Sequence, residues 1–233
     1  HGPRGGAGTP PGGSAAARRA GQEEEGQERL RLLLFIPALF LTAPAFAGEI
    51  SGVVVLTSST ATASPAGILR DRHVCGVPGP VNQGWLELEG RNLDGEMIHL
   101  DEKPKKKGLP KKRISIDQRN CTYLPRVIGT PIYSSVRFIN SDPVLHNVHL
   151  FDPSGKTVAN WAMPAKGQTT DWALLKKPGR YRVGCDAGHV WMNAHVFVFD
   201  HPYFAISAKG GRFALAQVPA GRHQLIAVHP DLG

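Results

Sequence analysis

The sequence predicts an all-β protein, a Greek-key β-sandwich with a small, partial β unit after it. Three observations carry this reading. Short segments that alternate apolar and polar residues recur along the chain. Gly and Pro interrupt them at intervals, 27 and 19 of the 233 residues respectively. After residue 48, no segment keeps a helical period. Many short strands divided by turns read as an antiparallel sandwich or a Greek-key barrel.

The strands are expected in this order. Glu49 to Thr57 is the first, followed by a Ser/Thr/Ala loop from Ser58 to Gly67. Trp85–Glu89, Met97–Leu100 and Arg113–Asp117 are short candidates. Ile132 to Asn140 is the clearest, and Ser141-Asp142-Pro143 breaks it. His146 to Phe151 resumes extended chain, and Asp152–Gly155 is a turn by composition. Residues 160–175 carry apolar spacing around Trp161, Met163, Trp172 and Leu174 that fits no single period. Pro178-Gly179 turns the chain into Tyr181–Cys185, and Ala194–Asp200 is rich in Val and Phe, as strands are. Two further strands, around Arg212–Ala216 and Gln224–Val228, are expected to pair with each other through a tight turn. They form the partial unit, 201–233, which stops before its sheet is complete. The sandwich itself is 48–200.

The first residues differ in kind. Residues 1–28 are Gly, Ala, Arg and Glu with almost nothing to bury, which reads as a disordered leader or a mis-assigned start. In residues 29–47, Arg29 and Arg31 precede the apolar run Leu32–Leu41, and Ala45-Phe46-Ala47 follows. A positive flank, a short apolar centre and an A-x-A ending read as a secretory signal peptide cut after Ala47. No further apolar run is long enough to span a bilayer, so the mature chain is expected to be periplasmic or secreted. The formal net charge is +8. The segment ahead of Gly48 holds five Arg and four Glu, so cleavage there removes a single positive charge. Much of the excess lies in Lys103–Arg113, a solvated loop or a docking patch for an acidic partner. No aromatic residue is interleaved with these charges, which argues against nucleic acid.

Three cysteines, 75, 121 and 185, leave one unpaired if the other two bond in an oxidising compartment. Cys185 has neighbours of ligand type and the others do not, so Cys75 is paired with Cys121. Sequence alone does not fix that pairing.

The most informative stretch is Cys185-Asp-Ala-Gly-His189-Val-Trp-Met192. It places a thiol, an imidazole and a thioether on one short loop between two expected strands. In Tyr181–Cys185, residues 181, 183 and 185 share a face, so Cys185 emerges at the strand end facing the core. Two His and a Cys with a long axial Met suit copper in both oxidation states. The second imidazole is expected from His146, just after the strand break. His149 is the alternative, on the opposite face of the same strand. Asn147 can hydrogen-bond across to the Cys loop and direct amide donors at the sulfur. Zinc also takes Cys and His, but thioether is not among its usual ligands. Asp142 either orders the rim loop or caps a turn, and the turn is favoured; Trp191 is read as an apolar wall of the site or plain core.

These residues resemble the cupredoxins, the small blue copper proteins. His146-Asn147-Val148 is similar to their His-Asn-Val/Ile segment, and Cys185, His189 and Met192 match their C-terminal ligand loop. The spacing here is Cys-x₃-His-x₂-Met. Its His-Met part is similar to the shortest loops of the family, and its Cys-His gap is one residue longer. Asp117–Pro125, Asn140–His149 and the Trp-Met pair also resemble periplasmic cupredoxin-like proteins related to methylamine utilisation. In such proteins a piece like residues 202–229 resembles a carboxypeptidase-regulatory-type β unit. The resemblance implies a single type 1 copper ion held by His146, Cys185, His189 and Met192, and a secreted electron carrier. It implies a redox protein as partner, for which the basic run Lys103–Arg113 or His189 on the outer loop is the expected docking point. The alternative is a cupredoxin-like binding or structural module that stores or delivers copper, or holds none. No His-x-His, His-Cys-His, Gly-x-Ser-x-Gly, HExxH or Walker motif occurs in the sequence, so no enzymatic activity is expected.

Overall fold

Alternation of apolar residues with polar ones makes a strand stable only where a second layer covers its apolar face. A computed structural model of the protein describes residues 47–57, 68, 70–76, 88–89, 92–101 and 108–230. The expected leader (1–28), nearly all of the expected signal segment (29–47) and the Ser58–Gly67 loop lie outside the described residues. So do residues 85–87, 102–107 and 231–233.

In chain order the elements are β1 (Gly48–Val53), α1 (Arg72–Cys75), β2 (Leu88–Glu89), β3 (Asn92–Leu93) and β4 (Met97–Leu100). Next come β5 (Arg113–Arg119), β6 (Thr122–Leu124), β7 (Val127–Pro131), β8 (Ser135–Asn140), β9 (His146–Phe151) and β10 (Thr157–Met163). The last are β11 (Ala173–Leu174), β12 (Gly179–Gly184), β13 (Asn193–Phe199), β14 (Phe204–Ile206), β15 (Arg212–Val218) and β16 (Leu225–Val228). The protein is all-β, as the alternation predicts.

One sheet has the order β10-β9-β12-β13-β7 and the other β11-β8-β5-β6. Their inward faces share one core. Ile116, Val136 and Phe138 meet Val148, Leu150, Tyr181, Val183, Val196 and Val198, all buried. The sheets are mixed rather than purely antiparallel as expected. β7 runs parallel to β13, and β5 runs parallel to β8. β7 escaped sequence reading because Gly129 and Pro131 dilute its apolar pattern. Pro131 sits at the end of an edge strand, where a missing N–H is tolerated. The ambiguous stretch 160–175 divides into β10 and the two-residue β11.

β13 is buried along nearly its whole length. Its inner face belongs to the sandwich core. Phe197 and Phe199 belong to a second cluster with Met97, against which Val127, Phe204 and Val228 pack. This two-sided burial explains why Ala194–Phe199 is almost continuously apolar. The final strands do not form the expected hairpin. β15 pairs with β1, while β14 and β16 flank β4. A two-stranded hairpin is marginal in water, and these strands gain partners from residues 48–53 and 97–100 instead.

Gly129 marks the tightest point of this second cluster. A Cβ there would lie 2.8 Å from Phe204 Cδ2 and 3.1 Å from the Met97 Cε. The methionine end can move, but the Phe204 ring is stacked on Phe199 at 4.6 Å between centroids. Gly129→Ala is therefore expected to cost about 1–3 kcal/mol, as overpacking does, read by denaturant unfolding.

Candidate metal centre

The break at Ser141–Asp142–Pro143 and the turn after β12 bring two strand ends together at one edge of the sandwich. β9 starts at His146, whose ring is fully buried. β12 ends at Gly184, and the next residue, Cys185, is 7% exposed. β12 pairs with β9, Gly184 opposite His149, which fixes their relative register. The loop after Cys185 then returns His189, also fully buried, over both.

One donor atom from each of His146, Cys185 and His189 lies within 4.8 Å of the others. The His146 and His189 Nδ1 atoms are 3.2 Å apart, and His189 Nδ1 is 3.6 Å from the Cys185 Sγ. The outer nitrogens face carboxylates. His146 Nε2 lies 2.9 Å from an Asp142 oxygen, and His189 Nε2 lies 2.9 Å from an Asp71 oxygen. An ionised carboxylate only accepts, so each Nε2 carries the proton and donates. In the neutral imidazoles the His189 Nδ1 lone pair therefore faces both the thiol and the His146 Nδ1. Burial pushes the His189 pKa down, and the nearby His146 adds to this, while Asp71 opposes it. The neutral, ligating form is thus the favoured one. Two buried lone pairs facing each other at 3.2 Å repel unless a proton or a cation lies between them. The donor set fits a soft or borderline cation.

Burial also pushes the Cys185 thiol pKa up, so the uncharged thiol is favoured without a cation. The backbone N–H groups of Asn147, Ala187 and His189 act in the other direction, because they favour the thiolate. The Asn147 N–H is 3.4 Å from the sulfur. The Asn147 side chain ties the same loop down. Its Oδ1 accepts from the Asp186 N–H at 3.1 Å, and its amide donates to Asn160 and to the Trp161 carbonyl.

Met192 is 2% exposed and lies in the same buried cluster as Cys185 and Trp191. Its N–H donates to the His189 carbonyl at 2.9 Å, closing the loop. Trp191 packs edge-on against the His189 ring and donates its indole N–H to the Cys121 carbonyl. His149 does not reach the centre. Its ring nitrogens engage Asp186 at 2.7 Å and Thr157 at 2.8 Å on the other face of β9. His189 is not an exposed docking point either, because its outer edge is covered by Asp71.

Cys75 and Cys121 form a disulfide, and Cys185 is free. Asn120 and Cys121 both have left-handed backbones, φ 51° and 54°. That conformation turns their N–H groups into a small anion-binding concavity. Asp142 fills it, accepting from Asn120 at 2.9 Å and from Cys121 at 2.8 Å. Asp142 therefore orders the site rather than merely capping a turn.

Sequence reading missed Tyr123 and Asp71. The buried Tyr123 hydroxyl donates to the carbonyls of Asn147, at 2.6 Å, and Gly184, at 3.0 Å. It thereby clamps together the two backbones that carry His146 and Cys185. Burial pushes its pKa well above the ordinary value, and the charges of Cys185 and Asp186 add to this. The unfolded chain therefore releases this proton first, so folding stability falls as pH rises through about 10. Tyr123→Phe is expected to lose part of that alkaline slope and to cost about 1–3 kcal/mol at neutral pH, because two carbonyls lose their donor. Denaturation at pH 7 and pH 11 checks both effects.

No protein-family model matches this sequence, and no curated protein does. Among solved structures, a purple cupredoxin from Nitrosopumilus maritimus aligns at 23% identity and TM-score 0.31, covering 37% of this chain and 99% of that one. Amicyanin from Paracoccus versutus aligns at 21% identity and TM-score 0.32, covering 44% of this chain and 97% of that one. A copper-containing nitrite reductase from Thermus scotoductus SA-01 aligns at 20% identity and TM-score 0.32, covering 42% of this chain and only 25% of that one. Among the described residues, no helix is long and apolar enough to cross a membrane.

Proposed function

We propose that the chain is a type 1 copper protein of the cupredoxin kind, an electron carrier outside the cytoplasm and not an enzyme. His146, Cys185 and His189 would hold the ion, with Met192 as a weaker fourth ligand. The observation that carries this reading is that two imidazole nitrogens and one thiol sulfur lie within 4.8 Å of one another, all buried. Copper bound there supplies one-electron exchange between its two oxidation states. The chain's own residues supply the rest. Cys185 gives a soft sulfur held by backbone N–H groups, which tune its electron density. Asp142 and Asp71 orient the two imidazoles. Burial of His146 and His189 excludes water, and the strand frame keeps the donors from rearranging.

The Cys75–Cys121 disulfide agrees with a periplasmic or secreted location, as does the A-x-A segment ending at Ala47. The partner would be an acidic redox protein. Lys111, Lys112 and Arg113, at the end of the basic run, are exposed and available to it.

Metal analysis, an optical and EPR spectrum and voltammetry of the purified protein test the proposal. One copper per chain, intense thiolate-to-copper absorption and reversible one-electron cycling are expected. Copper without reversible cycling would favour a storage or delivery module. A colourless protein that binds no copper would remove both readings.

A further inference from the structure

The segment from residue 70 to 76 lies across the outer edge of His189, and its geometry is unusual in a way that points to the site. Asp71 occupies the N-cap position of α1, where an Asp side chain ordinarily accepts from the first turn's N–H groups. Here it makes no such bond. Its backbone is left-handed, φ 48° and ψ 42°, a conformation that costs energy for any residue with a Cβ. The carboxylate instead reaches a residue 118 positions away and accepts from His189 Nε2 at 2.9 Å. The segment is tethered at its other end by the Cys75–Cys121 disulfide. Both of those sulfurs lie within 4.8 Å of a His189 ring nitrogen. Cys121 is itself held by Asp142, the carboxylate on His146. Above Gly188 lies the Arg70 side chain, which a Cβ at that glycine would meet at 3.1 Å. Arg70 Nε is 3.6 Å from the Asp71 carboxylate.

We propose that Asp71 is a positioning residue for His189, held over the imidazole by a strap that the Cys75–Cys121 disulfide anchors. This rests on the copper reading for its redox consequence, but not for its structural one. Accepting from Nε2–H fixes the tautomer that aims Nδ1 at Cys185. Its negative charge, next to a ligand, favours the more highly charged state of a bound ion. The strap also accounts for the complete burial of His189, so a docking partner meets Arg70, Arg72 and His73 of the strap, all exposed, rather than the imidazole edge.

The test uses Asp71→Asn, Asp71→Ala and Asp71→Glu in the full chain. In the metal-free protein, NMR of the His189 ring should show a protected Nε2 proton. That proton is expected to persist in the Asn and Glu variants and to be lost in the Ala variant. The Cys75→Ser/Cys121→Ser double variant is expected to lose it as well. With copper bound, Asn and Ala should each lower the ratio of Cu(II) to Cu(I) affinity about tenfold, equivalent to about 59 mV for one electron. Glu should restore it. A merely structural cap would change thermal stability and leave both the ring proton and the affinity ratio where they were, and that result would overturn the proposal. Persistence of the ring proton without the disulfide would overturn the anchoring role. If the protein takes up no copper, the copper reading fails, while the ring-proton measurement still decides the role of Asp71.

Discussion

Cys185→Ser is expected to abolish the thiolate-to-copper absorption entirely and to weaken copper binding by more than about 100-fold. That figure is the upper end of what the loss of an outer hydrogen-bond partner costs. Removing the sulfur removes a soft donor and puts a hard hydroxyl in its place, so the loss should be larger. The fold should tolerate the change. Serine is close to cysteine in size, and its oxygen can still accept the Asn147 N–H that now points at the sulfur. Stability should therefore move by about 1 kcal/mol, the scale of one altered hydrogen bond. The other cysteines behave in the opposite way. The disulfide between Cys75 and Cys121 closes 46 positions of chain, and its removal is expected to cost about 2–5 kcal/mol. Spectra and denaturation curves of the two variants thus separate a ligand from a staple.

Local patterns made the strands at the heart of the sandwich legible. His146–Phe151 was readable residue for residue, because a break at Pro143 and a turn at Asp152–Gly155 bound it on both sides. β13 was readable from its Val and Phe content. What sequence did not carry was partnership. Nothing in Arg113–Arg119 says that its neighbour runs parallel, and nothing in Arg212–Val218 says that it pairs with residues 48–53. Those choices depend on which apolar faces remain uncovered once the main core has formed. Phe197 and Phe199, facing away from that core, are what draw β4 and β14 to the outside of β13.

The centre divides in the same way. The potential ligands cluster in sequence because one short loop delivers three of them, and the residue types themselves declare the chemistry. The groups that position them are scattered. Tyr123 acts through its hydroxyl on two backbone carbonyls, and carbonyls leave no trace in the sequence. Asp71 becomes visible only once Cys75 is joined to Cys121, because the disulfide carries a residue four positions earlier to the site. The cover over the outward face of His189 is hidden from the sequence for the same reason. An imidazole on a loop reads as exposed until the strap that covers it is placed.

Asp142→Ala is expected to damage fold and site together. Asp142 is 4% exposed, and its carboxylate accepts from three donors, the N–H groups of Asn120 and Cys121 and the ring of His146. Alanine leaves all three without an acceptor in a space closed to bulk water. A buried donor left unpaired costs about 1–3 kcal/mol, and breaking a buried charged group's network costs about 3–5 kcal/mol. The two left-handed residues at 120 and 121 also lose the anion that justifies their conformation. A stability loss of about 3–5 kcal/mol is expected by denaturant unfolding. Copper affinity should fall about 10–100-fold, because His146 loses the bond that fixes its tautomer. Asn is a poor substitute here. Its side chain presents an NH₂ group to at least one of the donors that Asp142 now accepts from, so Asp142→Asn should recover only part of either loss. Full recovery by Asn would mean that the negative charge is dispensable and that hydrogen-bond shape alone holds His146.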